Sequence, residues 1–430
     1  MASVTVPPGV ICTPEEYARA ATDPLIHCLT RGQSIGLTVI VESGLLSLIA
    51  VSYVFLIIIR NLIWRFRHVS RERFRVFHQP MDNLMFSLFL ADILQAIGAV
   101  MDIKWIQEGK VEAGGFCDAQ GIIQHVGETG VAMTTLAIAV YTFLGVWVGK
   151  TIRSIPITRA VLALIWGFLA LIVIVGNTVN TGPGKPRFET PTPVSAIPFH
   201  LPLPPGTELA PVIISRPQYW CWISSHYLLW RIFAEYIWFW ITLAFSIFVY
   251  IPLYFWVRGN IVIHDPAWWR FHFQHADKSD PELRRRRRQS LVMAAYPLVY
   301  CISILPLSVA RWIGFVQEGR GDRKNHVPPA ATFLAVAIYN LSGFGNVILL
   351  LTTKPDAELF GRPTNFASGR APSPLLPSDA SALSATVRRS EGLDAQSSSI
   401  EPRKKLKGEE EGEELGRLPS RSSGWDSGRG

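Results

Sequence analysis

Six ionisable side chains fall within stretches of otherwise apolar sequence: Glu42, Asp92, Glu128, Arg231, Glu235 and Arg311. A charge inside a bilayer is costly unless it is paired or faces a cavity, so each is expected to turn toward the interior of a helix bundle. At 3.6 residues per turn, Glu128, Arg231 and Arg311 come to a similar depth near one end of their runs. Together with Gln124, His125 and Glu235 they form a candidate ligand pocket, with groups of both signs suited to a small polar molecule. Arg231 and Glu235 also stand at i,i+4 and can pair with each other instead of with a ligand. Asp92 lies deeper, where a polar network with Asn340 and Asn346 is expected to act in switching or packing.

The cysteines carry a second kind of chemistry. Cys12, Cys28, Cys117 and Cys221 lie between or before the apolar runs, whereas Cys301 lies inside one. If the four share one side of a membrane, that side is oxidising. Three pairings are possible. Cys117 with Cys221 is favoured, because it pins the loop before the fifth run over the bundle, and Cys12 with Cys28 is left open as a second bridge. The group His264, Asp265, His272 and His275 invites a metal reading, but its spacing is irregular and no second cluster supports it. A solvated loop with Trp268 and Trp269 at the membrane surface is expected instead, with no metal and no cofactor. A membrane hydrolase needs a convergent histidine and carboxylate set. Only His125 beside Glu128 approaches one, so the chain does not read as an enzyme.

The elements that must position these residues are membrane spans. Of the 430 residues, 49% are hydrophobic and 17% charged, with the apolar residues gathered into long runs. That is the composition of an all-α membrane protein. Spans are expected at about 35–59, 81–101, 121–148, 157–175, 227–256, 291–315 and 329–351, a seven-transmembrane helix bundle over 35–352. Residues 1–34 read as a short polar tail or lid. From 353 to 430 the composition turns to Ser, Pro, Gly and mixed charge, which reads as a disordered cytoplasmic tail. Lys and Arg concentrate in the loops after the first, third and fifth spans, which puts the N-terminus outside. The net charge of +8 therefore follows the positive-inside pattern and not a nucleic-acid footprint. The interior face carries Lys150, Arg153 and the run Arg284, Arg285, Arg286, Arg287 and Arg288, suited either to an acidic protein partner or to anionic lipid. Ser290 reads equally as a phosphosite after basic residues and as the cap of the sixth helix. Aromatic residues crowd the YWCW stretch at Tyr219 to Trp222, as they do at a bilayer interface.

Several motifs together carry a family resemblance. FCDAQG at Phe116 to Gly121 with LAIAVY at Leu136 to Tyr141, YPLVY at Tyr296 to Tyr300 with Pro306 and Arg311, and GFGN at Gly343 to Asn346 resemble the cyclic-AMP-receptor-like G-protein-coupled receptors, including the fungal glucose-sensing receptors. The resemblance covers about 35–351 and leaves out both tails. It implies a plasma-membrane receptor for an extracellular small molecule of nutrient or nucleotide class, acting through a heterotrimeric G protein, often on adenylate cyclase and cyclic AMP. The third span ends in VWVGKTIRS without an Asp-Arg-Tyr, and the seventh lacks an Asn-Pro-x-x-Tyr, so rhodopsin-type activation does not transfer. A retinal protein is excluded, since the last span has no lysine for a Schiff base. A transporter or channel for a small polar solute is the competing reading.

Overall fold

In hydrocarbon every backbone N–H and C=O must be satisfied within the protein, and a long apolar run does this by forming a helix. The computed structural model describes residues 6–23, 25–68, 77, 79–146, 154–179, 188–191, 219–224, 227–257, 261–264, 267–273, 298–313 and 328–353, all within the unit Met1–Leu375. Six helical segments are long and apolar enough to cross a membrane. They are α2 (Arg31–His68), α3 (Pro80–Val100) with the short α4 (Ile103–Glu108), α5 (Gly115–Val146), α6 (Ile155–Val179), the pair α7 (Leu228–Arg231) and α8 (Ile237–Val257), and the pair α10 (Pro329–Asn340) and α11 (Ser342–Thr353). The expected sixth span is represented by the shorter apolar helix α9, Leu298–Ile313. The chain is a multi-pass helical membrane protein. Lys150, Arg153, Arg284 to Arg288, Ser290, Asp265, His275, Tyr296, Pro297 and the C-terminal tail lie outside the described residues.

Helix α5 is the central element, packed against α3, α6 and α8. Gly127 lets α3 and α5 approach closely, because a methyl group there would fall on the backbone of Gln95. Small residues at such a crossing replace the hydrophobic driving force that helices lack in lipid. Helix α2 packs on α3, α10 and α11. Its other face carries Ile35, Leu46, Ile49 and Leu56 outward. Glu42 lies on that outer face and is exposed, which corrects the expectation that every ionisable residue of the spans turns inward. The reason is register: Leu37, Ile40, Val41, Gly44 and Ser47 take the buried stripe, and Glu42 falls opposite it.

Residues 6–23 and 25–30 form a cap, the lid of the two alternatives expected for this segment. Thr13 and Glu16 close a capping box at the start of α1 (Pro14–Ala20). Strand β1 (Ile26–Cys28) pairs antiparallel with β2 (Lys110–Glu112), so that Cys28 stands opposite Lys110. The Cys12–Cys28 disulfide closes the cap on itself, and Leu29 is fully buried beneath it. Lys110 Nζ lies 2.9 Å from both Glu16 and Glu112. Its hydrogen bond, with that of the Thr13 backbone, holds the Glu16 carboxyl down at about 2.

Two further strand pairs complete the described chain. Strand β3 (Glu189–Pro191) pairs with β4 (Cys221–Ile223), which brings the two ends of the Pro-rich loop together at the capped end. Strands β5 (Ile261–His264) and β6 (Ala267–Phe273) form a hairpin where a solvated loop was expected. Its Val, Ile, Trp and Phe residues are strand formers.

Candidate functional site

The capped end of the bundle is closed by the β3–β4 hairpin, and α5 supplies its anchor. Cys117, in the first turn of α5, is bonded to Cys221 of β4, as the pairing argument expects. One turn on, Gln120 is wholly buried. Its Oε1 accepts from Trp105 Nε1 at 2.6 Å and from the Cys221 N–H at 3.3 Å, while its Nε2 donates to Asp102 Oδ1 at 2.6 Å. One side chain therefore joins α3–α4, α5 and the hairpin. Phe188 seats the other side of the hairpin, tilted against Tyr227, edge to face with Trp230 and lying against Gly176 of α6.

Beneath the hairpin the expected pocket residues do come together. Gln124 Nε2 donates to Glu128 Oε1 at 2.8 Å, and His125 Nδ1 lies 3.3 Å from Glu235 Oε2. All four are buried, as is Arg231. The expected alternative, an Arg231–Glu235 pair, is not what forms. Arg231 Nε donates to the Ile223 carbonyl at 2.7 Å, and Glu235 Oε2 accepts from Trp222 Nε1 at 2.8 Å. A π-helical turn over Ile232–Tyr236 joins α7 to α8 and carries Glu235. Such widened turns break the regular hydrogen-bond ladder and are frequent at functional sites. Here the Ala234 carbonyl accepts from Thr129 Oγ1 at 3.4 Å.

Trp222 is the centre of this arrangement, and its role is not the interfacial one expected for YWCW. Trp220 and Trp222 are 4% and 3% exposed, so both face protein and not the bilayer surface. The guanidinium carbons of Arg231 and Arg311 lie 4.9 and 4.8 Å from the Trp222 ring, and Arg311 also lies over Trp220 at 5.5 Å. Cations over an indole face are attracted by the ring quadrupole, more strongly once desolvated. Two charges that hydrocarbon would reject are thereby held against aromatic faces, with the acidic side chains of Glu128 and Glu235 nearby. The sequence flagged both arginines but not the indole they share.

Glu189 was also missed. It enters from β3, is 3% exposed, and its carboxylate rests against the bare Cα of Gly121, where a methyl group would overlap it. Burial, then the carboxylates of Asp118 and Glu235, pushes its carboxyl well above the usual range. Glu189 Oε2, Gln124 Oε1 and His125 Nε2 are buried with no hydrogen-bond partner. Three unpartnered polar atoms among the described residues thus gather beneath the hairpin.

A polar column continues below. Tyr339 Oη donates to the Glu128 carbonyl at 3.2 Å. Gln95 Nε2 donates to the Tyr339 carbonyl at 3.2 Å and to Asn340 Oδ1 at 3.4 Å. Asn346 Nδ2 donates to Asp92 Oδ2 at 3.0 Å. Asp92 and Asn346 thus meet directly, while Asn340 bonds to Gln95 instead. The last span breaks at Leu341 between α10 and α11. Ser47 of α2 fills the break, its hydroxyl donating to the Asn340 carbonyl and accepting from the Phe344 N–H. No protein-family model matches the chain, and no curated protein matches it. The geometry carries the functional reading.

Proposed function

We propose that this chain is a seven-transmembrane G-protein-coupled receptor of the plasma membrane, with its N-terminus and both disulfides outside. It senses an extracellular small molecule and signals through the α subunit of a heterotrimeric G protein, with adenylate cyclase and cyclic AMP as its output. The observation that carries this reading is the buried cluster of Gln124, His125, Glu128, Arg231, Glu235 and Arg311 under a disulfide-pinned hairpin. That cluster connects by hydrogen bonds through Tyr339 and Gln95 to Asn340 at the broken last span, with Asp92 and Asn346 forming a separate pair beyond it. A ligand that lifts the hairpin and engages Glu128 or Glu235 changes the partners of Tyr339. The break at Leu341 then lets α11 respond without moving all of α10. The basic residues Lys150, Arg153 and Arg284 to Arg288 supply the G-protein face in this reading. The test is guanine-nucleotide exchange in membranes containing the chain and a panel of G proteins, screened with sugars, amino acids and nucleotides. Exchange that no ligand alters with any G protein refutes it.

A second reading, a transporter for a small polar solute, is favoured by the paired irregularities of the π turn and the Leu341 break. It requires solute flux into proteoliposomes, which the receptor reading does not.

A further inference from the structure

We infer that Ser47 of α2 is a positioning residue for the last span, a removable splice whose hydroxyl keeps α10 and α11 apart and whose withdrawal joins them into one helix. In an unbroken helix the Phe344 N–H would donate to the Asn340 carbonyl, four residues back. Here the Ser47 hydroxyl stands between those two groups, donating to the carbonyl and accepting from the N–H at 3.2 Å. Four-residue bonds flank the insertion. The Leu341 N–H meets the Ala337 carbonyl at 3.2 Å, and the Gly345 N–H meets the Leu341 carbonyl at 3.0 Å. The hydroxyl therefore takes the place of one identifiable rung.

The two arrangements are balanced in hydrogen bonds. Ser47 is 1% exposed and falls at the middle of the expected first span, 35–59, so no water replaces a lost partner there. Once withdrawn, its hydroxyl has an acceptor on its own helix, the Ser43 carbonyl one turn back, the ordinary bond of a helical serine. Ser43 and Thr38 of α2 already bond in that manner, to the carbonyls of Ile40 and Ser34. The Phe344 N–H and the Asn340 carbonyl then have each other. The two bonds of the inserted state are exchanged for two others, and neither state strands a buried polar group. That is the condition for an element with two discrete arrangements and a small gap between them.

The movement is small. Leu341 has φ −77° and ψ −2°, and helical geometry needs a ψ of about −42°, a turn of about 40° about one bond. Gln95 of α3 need not leave, because the Tyr339 carbonyl that it holds at 3.2 Å can accept twice. Gly343 seats α2 and α3 closely at the break, since a methyl group there would lie 3.2 Å from both Val51 Cγ2 and Asp92 Cβ. With the hydroxyl inserted, α10 and α11 move separately. With it withdrawn they move as one rod. This inference stands on the hydrogen bonds of α2, α10 and α11 and does not rest on the receptor reading.

The test uses the full chain with both disulfides intact, in a Cys301→Ser background, with spin labels on Leu334→Cys and Leu351→Cys. Those leucines are 59% and 48% exposed. In Ser47→Ala the distance between the labels, read by double electron–electron resonance, should lengthen toward the ~26 Å that a straight helix gives at ~1.5 Å per residue. Ser47→Thr keeps the hydroxyl and should keep the wild-type distance. Phe344→Pro, in the first turn of α11 where proline is tolerated, has no N–H to join and should hold the break even when Ser47→Ala is added. Residue-resolved hydrogen exchange gives a second reading. The Phe344 amide in Ser47→Ala should exchange within about twofold of the wild-type rate, because the Asn340 carbonyl takes it over. A fixed break leaves that amide bare and accelerates exchange about fivefold, the size of one neutral hydrogen bond. Acceleration of that size overturns the inference, as does an unchanged distance in Ser47→Ala or a lengthening that persists when Phe344→Pro is added.

Discussion

Replacing Glu189 with glutamine preserves the length and branching of the side chain and removes one proton equilibrium. In the docked hairpin, burial and the neighbouring Asp118 and Glu235 carboxylates raise the Glu189 carboxyl well above its ordinary 4.5. Docked Glu189 therefore holds its proton to higher pH than it does in a lifted hairpin. A group whose docked pKa is raised leaves docking unpenalised below about pH 4.5 and weakens it as pH rises. The loss is about 1.36 kcal/mol per pH unit until the docked carboxyl itself ionises. Glutamine carries no such penalty. Hydrogen exchange of peptides covering 188–191 and 219–224, measured from about pH 5 to about pH 8 with the disulfides intact and corrected for intrinsic rates, reads the opening constant directly. In the wild type that constant should climb roughly tenfold per pH unit. In Glu189→Gln it should stay flat and lie below the wild type at pH 7. An equal pH slope in both proteins refutes a protonated, buried Glu189.

The cap responds in the opposite direction. Glu16 is held at about 2 by Lys110 and the Thr13 backbone, so its contribution is complete above its ordinary 4.5 and is lost as pH falls toward 2. Proteolysis of the α1 segment should accelerate over that window, and Lys110→Met should remove the acid dependence. Gln120→Ala strips partners from Trp105, Asp102 and the Cys221 N–H together. A loss of about 2–5 kcal/mol is expected, read as a lower unfolding temperature in detergent. Gly127→Leu drives a side chain into the α3 backbone at Gln95. It should cost at least about 3 kcal/mol and cut the yield of folded protein, while Gly167→Leu, with open space around it, leaves the yield unchanged.

The spans were legible because hydrocarbon leaves an apolar run few alternatives to a helix, and the bridging of Cys117 to Cys221 followed from where those spans put the two cysteines. The clustering of Gln124, His125, Glu128 and Glu235 was legible for the same reason, since charges in spans converge inward. Glu42 shows the limit: its outward face depends on which stripe of α2 the neighbours bury, a property of the partners and not of the run itself. The cap was invisible because β1 finds β2 more than eighty positions along the chain. Trp222 was misread because an indole beside a bilayer and an indole between two guanidiniums have the same local sequence. The π turn leaves no composition signal at all.

The Cys117–Cys221 bond joins residues 104 apart, and the segment it encloses holds nearly all of α5, the whole of α6 and the first strand of the hairpin. That closes a covalent ring with two bilayer crossings inside it. A single cut anywhere in the ring, for instance after Arg187, opens the ring without dividing the molecule. The nicked chain should run as one band on a non-reducing gel and as two once thiol is added. Trypsin confined to one side of sealed vesicles then reports which compartment that loop faces, using the bond itself as the record.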